Sequence, residues 1–149
     1  MHVREIMTAS VVTAAPEAPV RDVAALMRDR NVGSVVLVDG SGHPVGMVTD
    51  RDLAICVLAD GLDPSTPAGH FATAPVVAGE LDMDLEEAAA LMVSHKIRRL
   101  PVLEGGALAG IVTLDDIAVR TGNLQVAQQM TADVARATVP DFYFHQRGG

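Results

Sequence analysis

The chain carries the pattern Thr-x-x-Asp twice, first at Thr49 and Asp52 and again at Thr113 and Asp116. In both copies a threonine ends an apolar run, and an acid follows three residues later, where a helix is predicted to begin. This spacing is typical of a capping box, in which the two side chains satisfy the first backbone donors of a helix. A carboxylate at a helix start can also accept both hydroxyls of a ribose, beside helix amides that suit a phosphate. The residues alone leave both interpretations open.

Two adjacent arginines, Arg98 and Arg99, directly precede a predicted buried strand at residues 100–103. A guanidinium group offers forked donors that match the oxygens of a phosphate. On a chain with a formal net charge of −8, the two side chains are equally consistent with solvated surface arginines. Phosphate recognition is therefore one of two interpretations for this pair.

The remaining chemistry-bearing residues show no catalytic pattern. Acids such as Asp50 and Asp115 stand at predicted helix starts, which attract acids in any protein. The five histidines, at positions 2, 43, 70, 95 and 145, lack a metal-binding spacing such as HExxH. Cys56 is the single cysteine, which excludes an intramolecular disulfide and a multi-cysteine zinc site. A small hydrolase or metal enzyme is the weakest interpretation, and we expect no catalytic residue, no metal and no cofactor.

Composition limits the cellular compartment and the kinds of partner that we expect. The acidic net charge would repel phosphate backbones, so we expect no nucleic-acid partner. No run of about 18 uncharged apolar residues and no signal peptide is evident, so we expect no membrane partner. A single cysteine suits the cytoplasm. With no tryptophan, and with three of the four aromatics together at Phe142, Tyr143 and Phe144, the core is predicted to be aliphatic.

The elements that position these residues occur twice, because the sequence repeats itself at a shift of 65 and then 64 residues. GMVTDRDLA at residues 46–54 aligns with GIVTLDDIA at residues 110–118, with five of nine positions identical. Arg98 and Arg99 align with Gly33 and Ser34, so only one copy supplies the basic pair. We therefore expect two unequal sites, with a charged ligand favouring the one that the arginines reach.

Each repeat follows the same predicted order of elements. A short extended piece (residues 11–13 or 76–77) precedes an amphipathic helix with apolar residues at i, i+3, i+4 and i+7, from Val20 or from Leu85. Asp84 and Glu87 form a candidate capping box for the second of these helices. Two apolar strands joined by a glycine-containing turn follow (34–38 and 45–49, or 100–103 and 108–113). Their apolar character indicates a sheet covered on both faces, and two units packed together would share one core.

The repeat divides the chain into four parts. Residues 1–60 form the first repeat, residues 61–67 the connector and residues 68–120 the second repeat. Residues 121–149 form a C-terminal helix, predicted over 124–137 and ended by Pro140, and a tail. The tail sequence PDFYF is either loose or an apolar anchor for a partner.

This order of motifs resembles a tandem pair of CBS domains, also called a Bateman module, over roughly residues 3–118. More narrowly, it is similar to the small stand-alone CBS-pair proteins of bacteria of the hypoxic response protein type. The resemblance implies an α/β (α+β) fold with two β-α-β-β-α repeats. It further implies a pseudo-twofold between repeats packed sheet to sheet, two clefts and a disc-shaped homodimer.

The resemblance also implies roles for the residues in these clefts. Thr49, Asp52, Thr113 and Asp116 would bind the ribose of an adenosine-containing ligand, and Arg98 and Arg99 its phosphates. Val12, Val77, Met47 and Ile111 would line an adenine pocket, although such residues are more often plain core.

Three functions compete at this point. The first is a regulatory, stress-responsive module that senses AMP, ADP, ATP or S-adenosylmethionine and signals to a separate protein partner. The second is a ligand-free structural or interaction module that acts as a homodimer. The third is the small hydrolase.

Overall fold

The computed structural model describes residues 1–113 and 116–117 of the 149-residue chain. Predictions that concern the helix over 124–137, the PDFYF tail and Asp115 lie outside the described residues. Within the described part, no helix is long and apolar enough to cross a membrane.

The first repeat contains strand β1 (Thr13–Ala14), helix α1 (Val20–Arg30) and strands β2 (Ser34–Val38) and β3 (Pro44–Thr49). Helix α2 (Asp50–Asp52) follows and continues as a π-helical segment (Leu53–Ala59). In the second repeat the strands are β4 (Gly79–Glu80), β5 (Arg99–Glu104) and β6 (Ala107–Thr113), and helix α3 is Leu85–Ser94. Short 3₁₀ turns precede each repeat's first strand, at Val3–Glu5 and at Ala68–His70.

Each repeat builds a three-stranded sheet with the same topology. The orders are β1-β2-β3 and β4-β5-β6, and in both the first pair is parallel and the second antiparallel. The helix between the parallel strands provides the crossover that such a pair requires. Both antiparallel pairs carry a register irregularity at aligned places, between Leu37 and Val38 and between Val102 and Leu103. The predicted β-α-β-β order and the two-repeat α/β fold are therefore confirmed.

Both hairpin turns lie where the sequence contains the predicted glycine-containing turns. Gly105 and Gly106 both have positive φ, as the two central residues of a type I′ turn require. In the other hairpin the Asp39 carboxylate accepts hydrogen bonds from the backbone amides of Ser41 and His43, and these bonds hold the pKa of Asp39 below its ordinary value.

The core forms two clusters, one on each sheet. Both are aliphatic as predicted, and the described residues include no buried polar side chain. One cluster contains Val20, Val23, Met27, Val35, Leu37, Val48 and Ala68, and the other contains Val3, Ile6, Ala88, Met92, Leu100, Val102, Val112 and Ile117. The prediction of a single shared core was wrong, because each helix packs on the sheet of its own repeat.

The two repeats exchange their leading segments. Val3 and Ile6 belong to the cluster of the second repeat, and the amide of Val3 donates to the Met83 carbonyl at 2.9 Å. Ala68 belongs to the cluster of the first repeat, and its amide donates to the Ala18 carbonyl at 2.9 Å. Each repeat therefore completes the core of the other.

Two local predictions were wrong. The short extended strands lie later than predicted: β1 shares only Thr13 with residues 11–13, and β4 shares no residue with 76–77. The Val12 carbonyl nevertheless accepts the amide of Val36 in β2 at 3.1 Å. The Asp84 side chain makes no cap hydrogen bond at the start of α3; its carboxylate lies 3.3 Å from Nε2 of His2 instead.

Candidate functional site

Two clefts of about 250 Å³ each lie where the loops of one repeat meet the last strand of the other. Cleft one is lined by Thr8, Ser10, Val11, Val12, Val32, Gly33, Ser34, Val36, Arg99, Ile111, Thr113 and Asp116. Cleft two is lined by Met47, Thr49, Thr73, Pro75, Val76, Val77, Lys96, Ile97, Arg98, Arg99 and Pro101. Both linings mix aliphatic side chains with a few polar groups, as in typical small-molecule sites.

Backbone pairing between the repeats fixes the walls of both clefts. Thr8 and Ile111 exchange two backbone hydrogen bonds of 2.9 Å each, which joins the first repeat's leading loop to β6. Met47 and Thr73 exchange the equivalent pair, at 3.2 and 3.0 Å, which joins the second repeat's leading loop to β3. Each cleft is thus built from both halves of the chain, and neither repeat contains a complete site.

The Thr-x-x-Asp pairs adopt the same geometry in both copies. The amide of Thr49 donates to Asp52 Oδ2 at 2.9 Å, and the amide of Asp52 donates to Thr49 Oγ1 at 3.2 Å. The amide of Thr113 likewise donates to Asp116 Oδ2 at 2.9 Å, and the amide of Asp116 to Thr113 Oγ1 at 3.1 Å. The capping interpretation is confirmed for both pairs.

Capping leaves part of each carboxylate available. Only Oδ2 of Asp52 and of Asp116 is engaged by these bonds, and both side chains are partly exposed. An ionised carboxylate can accept several hydrogen bonds, so the Oδ1 atom of Asp116 can take further donors from within cleft one. Asp52 differs, because Thr49 lines cleft two while Asp52 itself does not.

The four residues predicted for an adenine pocket divide between the clefts. Val12 and Ile111 line cleft one, whereas Met47 and Val77 line cleft two. All four are partly exposed rather than buried. The structure therefore brings every one of them to a cleft wall, where an apolar slot for a flat ring would lie.

The two clefts have different numbers of cationic lining residues, but the distribution is not the one predicted from the sequence. Arg98 lines cleft two only, whereas Arg99 lines both clefts. The prediction that both arginines serve one cleft was therefore wrong for Arg99. The number of cations still differs between the clefts. Lys96 also lines cleft two, whereas Arg99 is the one cation among the described lining residues of cleft one.

Lys96 is a cation of cleft two that was not predicted from the sequence. It has a left-handed φ of 56°, and the aligned Asn31 at the end of α1 has φ 54°. Asn31 directly follows α1, and Lys96 lies two residues after the last residue of α3. In both places the next amide bonds back to an aligned helix carbonyl: Val32 to Met27 and Ile97 to Met92, each at 3.0 Å. The alignment of Lys96 with Asn31 could have indicated the left-handed conformation of Lys96, because asparagine is enriched in that conformation and lysine is not.

No metal centre is indicated in the part of the chain that the structure describes. There, no three histidine, cysteine, aspartate or glutamate side chains come together in a way that could hold an ion. Cys56 is partly exposed within the π-helical segment and does not line either cleft.

Comparisons with known proteins agree with this geometry. The sequence model of the family described as "CBS domain" matches residues 3–58 and 68–120. The CBS domain-containing protein YhcV of Bacillus subtilis is 36% identical over 137 residues, covering 92% of this chain and 97% of YhcV. Hypoxic response protein 1 of Mycobacterium tuberculosis is 35% identical over 116 residues, covering 77% and 81% of the two chains.

A solved structure gives a similar result. The CBS domain protein PAE2072 from Pyrobaculum aerophilum, complexed with AMP, superposes with a TM-score of 0.76 at 26% identity. The match covers 87% of this chain and 99% of PAE2072. The resemblance inferred from the repeated motifs is therefore confirmed.

Proposed function

Because this chain belongs to the CBS-domain family, we propose that it is a regulatory module that binds an adenosine-containing ligand in its clefts. The ligand is AMP, ADP, ATP or S-adenosylmethionine, and the module signals to a separate protein in the cytoplasm without catalysing a reaction. PAE2072, a structural neighbour, was solved complexed with AMP.

One observation supports this proposal: a carboxylate, an apolar wall and a guanidinium group belong to residues that line cleft one together. Asp116 supplies the carboxylate, Val12 and Ile111 the apolar wall, and Arg99 the guanidinium. These groups match the hydroxyls, the flat base and the phosphate of a nucleotide. Cleft two combines Thr49, Val77 and three cations, but Asp52, which accepts the amide of Thr49, is not among its lining residues.

The interleaved walls offer a way for a ligand to signal. A ligand in either cleft touches both repeats, so it binds best to one relative arrangement of the two. A ligand shifts an equilibrium only by its difference in affinity for the two arrangements. We propose that this shift changes the outer helices, which then alter contacts with a partner.

The outer surface of the first repeat supports a homodimer as part of this proposal. The π-helical segment exposes Ile55 and Leu58, the latter with 81% of its surface accessible. A third cavity, of about 320 Å³, lies beside this segment and is lined largely by apolar residues of α1 and the π-helical segment. Large exposed aliphatic side chains beside an apolar groove are typical of an association surface.

A thermal-shift experiment with a panel of adenosine compounds tests the proposal. At about 100 times its dissociation constant, a single-site ligand adds about 2.7 kcal/mol to the unfolding free energy. For a chain of this size the melting temperature should rise by roughly 5–10 °C. Guanosine compounds serve as the matched control, and we expect them to give a smaller shift.

A second candidate function is a ligand-free interaction module, which the exposed Leu58 favours. It predicts that the adenosine panel leaves the melting temperature unchanged. It also predicts that Leu58→Glu disrupts the homodimer, as measured by light scattering, whereas the equally charged control Val45→Glu, at an exposed residue outside the third cavity, does not. A ligand-dependent melting temperature would decide for the sensing module.

A further inference from the structure

Arg99 occupies a position between the two clefts. It is the first residue of β5, where it pairs with Thr113 of β6, and it is among the residues that line both clefts. Its Nη2 atom lies 3.2 Å from the place where a β-carbon on Gly33 would stand. The guanidinium group therefore reaches across from the second repeat and lies against the backbone of the first.

Gly33 makes this crossing possible. It aligns with Arg98, so a side chain at position 33 would be the first repeat's own arm into cleft one. Because Gly33 has no side chain, the space is filled by Arg99, with the Oδ2 atom of Asp50 3.3 Å from the same hypothetical β-carbon. Arg99 thus supplies to cleft one the positive charge that the first repeat lacks.

Without Arg99, the charged residues that line the two clefts would be of opposite sign. Cleft two retains Lys96 and Arg98, whereas the described lining of cleft one retains only the negative Asp116. Neither Lys96, Arg98 nor Arg99 takes part in any of the ion pairs found among residues 1–113 and 116–117. All three are therefore available to an anionic ligand.

We propose that Arg99 is a phosphate-recognising residue shared by both clefts, so that the clefts compete for it when the ligand is charged. This inference rests on the proposed function, because it specifies how the adenosine sites are coupled. A phosphate in cleft two that engages Arg99 leaves cleft one with a net negative lining. A second nucleotide then binds cleft one weakly, whereas uncharged adenosine needs no cation and binds there unaffected.

Two matched variants isolate the clefts for a test. Val11 and Val76 occupy aligned positions in the two repeats, are both partly exposed, and line cleft one and cleft two respectively. Val11→Trp fills cleft one and Val76→Trp fills cleft two, and neither residue belongs to a core cluster. Calorimetric titration of each variant with AMP and with adenosine gives the affinity of one cleft at a time.

The wild-type chain is then titrated with the same two compounds. For AMP, we expect the second binding step to be weaker than the single-cleft affinity by about fivefold to 150-fold, the usual range of coupling between sites. For adenosine, we expect both steps to match the single-cleft affinities. AMP steps that equal the single-cleft affinities would overturn the coupling, while adenosine binding would still uphold the proposed function. No binding of either compound would overturn both.

Three substitutions test whether Arg99 is the shared group. Arg99→Ala should weaken AMP binding in both clefts by about tenfold or more, since a charge-assisted contact is lost in each. Arg98→Ala should weaken AMP in cleft two alone. Gly33→Ala, at a site without a left-handed φ, should displace the guanidinium and weaken AMP in cleft one alone. An Arg99→Ala effect confined to one cleft would overturn the proposal.

Discussion

At the scale of single residues, Asp116 combines two roles that the sequence could not separate. Its Oδ2 atom accepts the amide of Thr113 at 2.9 Å and so stabilises a helix start, while the side chain also lines cleft one. A capping acid is held in one orientation by its backbone bond. The remaining carboxylate oxygen is therefore positioned before any ligand arrives, which lowers the entropic cost of binding.

Substitution of Asp116 distinguishes the cap from the proposed ribose contact. Asp116→Ala should lower the unfolding free energy by about 0.5–1.5 kcal/mol, because the Thr113 amide loses its acceptor. Asp116→Asn keeps an acceptor oxygen and should cost less. Both should weaken adenosine binding in cleft one by about tenfold or more, because the charged acceptor is lost. Urea unfolding and calorimetry on the two variants provide the measurements.

The control is Asp52→Asn, which changes the equivalent cap while leaving the lining of cleft one intact. It should not alter adenosine binding in cleft one. If Asp116→Asn binds adenosine as tightly as the wild type does, the acid is a cap and nothing more.

Lys96 illustrates a conflict between stability and binding at one position. Its left-handed φ of 56° is unfavourable for lysine, whereas the aligned Asn31 tolerates the same conformation. Lys96→Asn should raise the unfolding free energy by up to about 1 kcal/mol and weaken AMP binding in cleft two, because a cation is removed. Denaturant titration and calorimetry test the two effects. A variant that is more stable and binds AMP unchanged would exclude Lys96 from phosphate recognition.

At the scale of elements, periodicity and turn signals located most of the fold. The first residues of α1 and α3 agree with the apolar spacing from Val20 and Leu85, and β2 has the predicted bounds. The displaced strands β1 and β4 show the limit of such reasoning. Two valines in a row predict a strand, but whether they enter a ladder or line a cleft depends on the partner segment, which periodicity does not specify.

The exchange of leading segments was also invisible in the sequence. Residues 1–60 were expected to form one repeat, yet Val3 and Ile6 pack in the core of the other. A local pattern shows that these residues are apolar but not which sheet they cover. In the structure the aligned Ala68 packs in the core of the first repeat, so both leading segments are exchanged in the same way.

Ile6 provides a test of this exchange. It is 2% exposed in the second-repeat cluster, so Ile6→Ala should lower the unfolding free energy by about 2–5 kcal/mol. Urea denaturation gives the value. Leu62→Ala, with 38% of the residue exposed, is the matched control and should change stability by only about 0.5 kcal/mol. An Ile6→Ala cost as small as that of the control would show that the segment does not pack there.

At the scale of the whole molecule, the two repeats form one unit because each supplies part of the other's core and part of each cleft. The sequence predicted the repeats, several of the residues on the cleft walls and an unequal distribution of cations, although Asp52 lines neither cleft. It could not predict that Arg99 would reach both clefts, because that depends on the space left by Gly33 across the interface. Alignment of the two repeats pairs Gly33 with Arg98, whereas the contact in the structure joins Gly33 to Arg99.

A crystal structure of the protein grown with saturating AMP would show where the nucleotide binds and which residues contact it. We predict AMP in an inter-repeat cleft, with its ribose hydroxyls within hydrogen-bond distance, about 2.5–3.2 Å, of the Asp116 carboxylate or Thr49 hydroxyl. The phosphate should contact Arg99 and the base should lie against Val12 and Ile111 or Met47 and Val77. AMP bound on an outer surface, or both clefts empty at saturation, would show that the clefts are not adenosine sites.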